Sequence, residues 1–313
     1  MDAYSTADGS RGRADNNPVL RIQASDVVVH GLHFNNTSPD TGVLRSEVMV
    51  RVDGSRVTLA GNFFDGNGRA PTPTDLFLLI CGSASDNVIA ENRFDFSGGK
   101  GLIYIGRVCG GISVRRQIIR NNVFSRFGNK PNLVCAAINF GGPSGTSAGN
   151  NSVVENNTIF DNNGRCYGLL DTNGAELTVR NNILSRITGP RPAIGCSGVG
   201  GVSSGVAYNS LMWGNDRDVE AACGSGGWTL SASSFDNPYF VAPDHAPPDL
   251  HLQSTTGSRR NGASNWTVDA HCSVAIDKAP PGDAFDREPA PNGGRRDLGA
   301  YGDTPEASKS CTR

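Results

Sequence analysis

Aliphatic and polar positions recur along this chain in seven short segments that line up on one another: VVVHGLHF (27–34), VTLAGNFF (57–64), NVIAENRF (87–94), QIIRNNVF (117–124), SVVENNTI (152–159), LTVRNNIL (177–184) and SGVAYNSL (204–211). Their last residues, Phe34, Phe64, Phe94, Phe124, Ile159, Leu184 and Leu211, are all apolar and follow at intervals of 30, 30, 30, 35, 25 and 27 residues. Five positions earlier stand Val29, Leu59, Ile89, Ile119, Val154, Val179 and Val206, all aliphatic. Between these columns runs a column of Asn62, Asn92, Asn122, Asn157, Asn182 and Asn209, with Leu32 as its exception, and a second Asn precedes it at Asn121, Asn156 and Asn181. Each unit therefore predicts a short strand, a tight corner, and an inward apolar residue opening another strand. Asn suits the corner because it tolerates left-handed backbone and its amide bonds to nearby main chain. Stacked amides also bond one another from layer to layer. A second strand precedes each motif: MVRVDGS (49–55), FLLICGS (77–83), LIYIGRV (102–108), CAAINFG (135–141), YGLLDTN (167–173) and AIGCSGV (194–200).

A recurrence at 20–50 residues marks a repeat architecture. With almost no helical periodicity of the i, i+3, i+4, i+7 kind, the pattern predicts an all-β, single-stranded, right-handed parallel β-helix. It would have about eight coils spaced roughly 4.8 Å apart. A propeller blade needs about 40–50 residues per repeat and fits worse. The chain divides into a polar N-terminal segment (1–18), the β-helix (19–240) and an irregular C-terminal closing segment (241–313) in which the repeat is lost and Pro, Gly and Asp dominate.

Over residues 19–240 the pattern resembles the repeat of the pectate-lyase-like β-helix superfamily. The C-terminal segment is similar to that of secreted bacterial β-helix proteins of the choice-of-anchor type. Here the motif stands as Asp249-Leu250-His251-Leu252, Ala275-Ile276-Asp277, Asp286-Arg287 and Asp297-Leu298-Gly299-Ala300-Tyr301. It departs at Val274, where Pro is usual, and at Gly302, where Glu is usual. The helical N-terminal cap common in the superfamily is not evident, since VLRIQ (19–23) already reads as a strand. The first coil is therefore expected to be truncated, or covered by a partner or by the first loop.

A net charge of −2 gives no global field toward nucleic acid or anionic membranes. No run of 18 apolar residues exists, so no membrane insertion is expected. The opening MDAYSTADGSRGRADNNP is polar and lacks a signal peptide, which reads as a mature form of a secreted protein with an added Met. Eight cysteines, six of them 26–31 residues apart and none in a C-x-x-C pair, predict disulfides between stacked coils rather than zinc. Cys81–Cys109 and Cys272–Cys311 are the favoured bridges, and the expected localisation is extracellular. Small buried hydrophobes are the competing reading of the same cysteines. Asn-X-Ser/Thr triplets at Asn35, Asn150, Asn156 and Asn265 follow as readily from an Asn-rich corner as from glycosylation.

In the superfamily, substrate lies along one sheet walled by long loops, and by analogy the preceding strand row is the floor. Its polar residues are Arg51, Asp53, Arg107, Asn139 and Asp171, with Lys100, Tyr104, Arg115, Arg116 and Arg165 close by in sequence. Asp53 and Asp171 lie four coils apart, roughly 19 Å, too far for the about 5–9.5 Å of a glycosidase pair. The N-T-D, D-D and R-I-K strings of polygalacturonase-type hydrolases are missing, and His30-Gly31 is an isolated dipeptide match. A lyase needs a base α to a uronate carboxylate and a cation to neutralise it. Lys100, Tyr104 and Arg107 are the catalytic candidates. Arg51, Arg116, Asn139 and Arg165 are candidates for substrate binding. Asp53 and Asp171 carry oxygens suited to Ca²⁺. Two features read as structural: the column Arg120, Glu155, Arg180 as a charge ladder, and Asp65 over Asp95 as a like-charge pair that holds a cation or splays into water. His33, His245, His251 and His271 show no ligand spacing.

The expectation is thus a secreted, monomeric, carbohydrate-active β-helix acting on an acidic polysaccharide, first as a polysaccharide lyase. The alternatives are a non-catalytic glycan-binding or adhesion β-helix, favoured by the absence of an intact catalytic string, and a glycoside hydrolase.

Overall fold

A computed structural model describes residues 18–35, 48–66, 76–95, 101–106, 114–128, 135–141, 149–162, 164–171, 175–196, 205–220, 223, 229–231 and 233–312. Apart from an antiparallel pair in the C-terminal segment, Phe240–Ala242 with Asp249–Leu252, consecutive strands do not pair with each other. Each pairs in parallel with the strand one repeat away, so the chain winds through three sheets in turn as a parallel β-helix. The first sheet stacks Leu20–Ile22, Val48–Val52, Leu76–Ile80, Gly101–Ile105, Ala136–Phe140, Tyr167–Asp171 and Ile194–Gly195. The second runs from Val28–His30 to Thr229–Ser231 in eight strands, and the third from His33–Asn35 to Leu211–Trp213 in seven. VLRIQ does supply the first strand, Leu20–Ile22.

The columns find their physical roles here. Phe34, Phe64, Phe94 and Phe124 stack face to face down the interior with centroids 4.8, 4.6 and 4.9 Å apart, the spacing that the strands themselves impose. The two Asn columns divide the work of the corner. The residue at the first corner position takes the left-handed conformation: Gly31, Gly61, Glu91, Asn121, Asn156, Asn181 and Asn209 all have φ between 49° and 70°. The second position turns inward. Asn62, Asn92, Asn122, Asn157 and Asn182 are buried; the amide nitrogens of the first four each donate to a main-chain carbonyl and, at 3.0 Å, to the Oδ1 of the next Asn, and that of Asn182 donates to the Val154 and Arg180 carbonyls. The ladder begins at Leu32, whose main-chain N–H bonds Asn62 Oδ1 at 3.0 Å.

The seventh repeat sits one residue away from its sequence alignment. Val179 pairs with Ala207 and Leu184 with Met212, so Ser210, not Asn209, continues the inner ladder and bonds the Asn182 N–H. Ala207 is 2% exposed and Val206 44%, so Val206 does not belong to the inward column. Burial of apolar area selects the register, and a one-residue slip would exchange the two faces of the strand.

The ladder Arg120–Glu155–Arg180 is in register, with Arg180 bonded to Glu155 at 2.8 Å. Asp65 and Asp95 also share a column, and Arg126 resolves their repulsion by clamping buried Asp95 through two bonds of 2.9 and 2.6 Å. Ser125 adds a third at 2.8 Å.

Residues 240–311 lie along the flank of the stack. Phe240, Leu250, Leu252, Ala275, Ile276, Leu298 and Ala300 pack on Val123, Phe160, Ile183 and Leu211 from the outer face of the third sheet. The outer Asn column grips this segment. Asn121 donates to the carbonyls of Ala300 and Gly302, Asn156 to those of Asp297 and Gly299, and Asn209 to that of Lys278. Cys272–Cys311 closes the segment as expected, while Cys135–Cys166 and Cys196–Cys223 bridge neighbouring coils with Cα atoms 4.9 and 5.1 Å apart. Cys81 is disulfide-bonded as well, and Cys109 lies outside the described residues.

Candidate functional site

The coil length varies on the two sides of the first sheet and nowhere else in the first seven coils. The corner between second and third sheets always has two residues, as between His30 and His33 or between Glu155 and Thr158. The connections into the first sheet reach 12 residues between Asn35 and Val48 and 10 between Asp65 and Leu76. Those leaving it reach 12 between Ile105 and Ile118 and 11 between Phe140 and Ser152. In stacked-repeat proteins, insertions gathered beside one face mark it as the binding face.

The floor of that face is one register column: Arg51, Leu79, Tyr104, Asn139 and Leu170. Their neighbours on each strand, such as Ile103 and Ile105, belong to the interior core, so strand alternation points this column outward. Tyr104 and Asn139 stand on adjacent rungs. Gly141 lets the tyrosine lie flat, since a β-carbon there would come 2.7 Å from its hydroxyl. Both side chains are buried, and Asn139 Oδ1 has no hydrogen-bond partner among the described residues. Apolar residues surround them: Val48, Leu76 and Leu79 on one side, Ala136, Tyr167 and Leu170 on the other. At the far end Arg191 lies 5.2 Å over the Tyr167 ring and donates to its hydroxyl at 3.0 Å.

The remaining candidates separate. Arg51 and Arg21 both bond Asp53, at 2.9 and 2.6 Å, so this carboxylate is spanned by two guanidiniums. Asp171 follows Phe140 in the inward-facing column four coils further on, fully buried, with the Ala175 N–H on its Oδ1. Asp53 and Asp171 are therefore not brought together, and among the described residues no group of three or more His, Cys, Asp or Glu side chains could hold a metal ion. Arg116 stands on the corner between first and second sheets, bidentate to Asp86 at 2.6 and 2.7 Å. That hydrogen-bonded pairing lowers the Asp86 carboxyl and raises the Arg116 guanidinium from their ordinary values. Asp26 and Arg56 repeat the pair two coils earlier. Arg165 is exposed on the turn before Cys166. Lys100 and Arg107 lie outside the described residues.

A buried ionic cluster in the C-terminal segment escaped sequence reading. His251 Nδ1 meets Asp249 at 2.6 Å, its Nε2 faces Glu306 at 3.6 Å, and its ring stacks on Tyr301 at 3.8 Å. The i, i+2 spacing of Asp249 and His251 on one strand was the available signal, because such residues share a face.

Comparison with protein-family models, curated proteins and solved structures gave no match. What the chain shares with β-helix proteins is the architecture: three parallel sheets stacked coil on coil.

Proposed function

We propose that the protein is an extracellular glycan-binding β-helix whose recognition face is the first sheet and the loops on its two edges, with an acidic polysaccharide as ligand. The observation that carries this reading is the placement of every long connection beside that sheet, against an invariant two-residue corner on the opposite side. An acidic polymer is the class proposed because all but four of the 28 basic residues are Arg, whose planar fork pairs with carboxylates, although 30 acidic residues leave the net charge at −2. The disulfides are compatible with an oxidising compartment. Binding is favoured over turnover because Tyr104 and Asn139 are buried, while Arg51, Asp53 and Arg116 are tied into ion pairs.

β-Elimination is the second reading, supported by the Tyr104–Asn139 juxtaposition and the open Asn139 Oδ1. In it Tyr104, once deprotonated, would take the proton α to a uronate carboxylate, the glycosidic C4–O bond would break as the C4=C5 double bond forms, and the departing oxygen would take the proton back from the Tyr104 hydroxyl, with Lys100 or Arg107 neutralising the developing charge. Affinity electrophoresis through alginate, pectate and hyaluronan, with dextran as the neutral control, tests binding. Retardation by a uronate polymer alone is expected, and equal mobility in all four gels overturns the proposal. Absorbance from an unsaturated product, with and without Ca²⁺, separates the readings. Its appearance in wild type and loss in Tyr104→Phe would replace binding by elimination.

A further inference from the structure

The C-terminal segment buries two carboxyls, Glu288 and Asp297, that have no ion-pair partner among the described residues. Glu288 and Asp297 are 6% and 1% exposed. Glu288 Oε1 accepts the main-chain N–H groups of Asp297 and Asp303, both at 2.8 Å, and Asp297 Oδ1 accepts that of Asp277 at 2.9 Å. Among the described residues the second oxygen of each, Glu288 Oε2 and Asp297 Oδ2, is buried without a hydrogen-bond partner in good geometry, and the nearby Ser308 main-chain N–H only partly offsets the burial of Asp297. The other charges around them are Asp277, to which Ser310 donates, and Asp303. The neighbouring arginines are committed elsewhere. Arg296 binds Asn156 Oδ1 and the Ala284 carbonyl and stands 4.0 Å from Asp303; Arg287 pairs with Glu91; Arg295 bonds the carbonyls of Lys278 and Ala279. These carboxyls offer no metal geometry. Two buried carboxylates without a counter-charge are costly, and the inexpensive way to hold them is with a proton.

The same residues form the clasp on the stack. The Asp297 carbonyl accepts from Asn156, and the chain beyond it supplies the Gly299, Ala300 and Gly302 carbonyls that Asn156 and Asn121 bind. We propose that the folded protein holds the Glu288–Asp297 pair with one bound proton, and that losing this proton to solvent loosens the clasp of the C-terminal segment on the flank of the β-helix. Burial drives the effect: it pushes Glu288 up to about 7 and, with Glu288 beside it, Asp297 well above its ordinary value. A raised folded value means that the native state binds this proton more tightly than the unfolded chain. The stabilisation is complete below about pH 4.5 and is lost as pH rises toward 7.

The test is a carboxyl ¹³C titration of the wild-type protein, with thermal unfolding at pH 4.5 and 7.5 for wild type, Glu288→Gln and Asp297→Asn. A carboxyl midpoint above 6 is expected, with the side-chain amide signals of Asn121 and Asn156 moving at the same midpoint. Wild-type Tm should fall by roughly 3–8 °C between the two pH values, and that fall should at least halve in Glu288→Gln, which keeps the Oε1 acceptor. Midpoints below 5 for both carboxyls overturn the proposal even if neither variant folds. So does a Glu288→Gln slope equal to that of wild type.

Discussion

At the scale of single residues, the two Asn columns make different predictions although their side chains are identical. Asn122 is buried in mid-ladder. It accepts from the main-chain N–H and the amide of Asn92, and donates to the Ile89 and Arg120 carbonyls and to Asn157. Asn122→Ala strands buried donors and acceptors at about 1–3 kcal/mol each, so a loss of roughly 3 kcal/mol is expected by denaturant unfolding. Asn121→Ala removes two bonds to the C-terminal segment at a partly solvated corner and should cost about 1–2 kcal/mol. Equal losses would refute the division of labour. The columns were legible as recurrences, and their layer-to-layer bonding followed from the spacing. What the alignment hid is which Asn bears the left-handed backbone, because either position of a two-residue corner tolerates it chemically.

Arg126 gives a second residue-level test. It holds a carboxylate that is 2% exposed and that stacks beside Asp65. Arg126→Met leaves that charge buried and uncompensated, which costs about 3–5 kcal/mol. Adding Asp95→Asn should recover most of the loss, because the Ser125 hydroxyl can still bond the amide. A double variant as unstable as the single one would show that Arg126 acts through packing alone.

At the scale of elements, the seventh repeat tests register. Val206→Thr changes an exposed position and should stay within about 0.5 kcal/mol of wild type. Ala207→Val adds bulk to an inward position that is 2% exposed and should cost about 1–3 kcal/mol. The opposite ranking would restore the register of the raw alignment. The sequence misled here because SGVAYNSL carries an Asn and a Val where the other repeats do, while the structure places Ala207 and Ser210 on those rungs. Disulfides show the same limit. Stacking brings cysteines of adjacent coils within reach, yet their spacing alone did not rank Cys135–Cys166 or Cys196–Cys223. The candidate site was less legible than the fold for a physical reason. Strand columns are constrained by burial on every rung, whereas loops beside the first sheet carry no period, so Lys100, Arg116 and Arg165 could be gathered only by their proximity in sequence. The strand positions Tyr104 and Asn139, which do obey the period, are the two that the fold brings to adjacent rungs.

At the scale of the whole molecule, two buried clusters in the C-terminal segment tilt stability toward mildly acidic pH. His251 is the second. Burial works against its imidazolium, but Asp249 and Glu306 outweigh it and leave its pKa raised above 6.5. Its stabilisation is present below that value and is lost as pH climbs through the raised one. The partners run the other way. Asp249, despite burial, and Glu306, through its bond to His251, are lowered, so their contribution is present above the ordinary carboxylate range and is lost as pH falls through the lowered values. Together with the Glu288–Asp297 proton, these signs place the stability maximum on the mildly acidic side, with a decline as pH rises that has two contributors: Glu288, whose carboxyl is pushed up to about 7, and His251, whose imidazolium is held above its ordinary range. Tm measured across pH 4–9 should therefore show Glu288→Gln and His251→Gln each removing its own step of the decline and leaving the other in place. Asn121 and Asn156 join the segment to the flank, and the Cys272–Cys311 bridge ties the segment to itself. A single variant that removed both steps would mean that the clusters titrate as one unit, and a Tm maximum at or above pH 8 would contradict the sign of both.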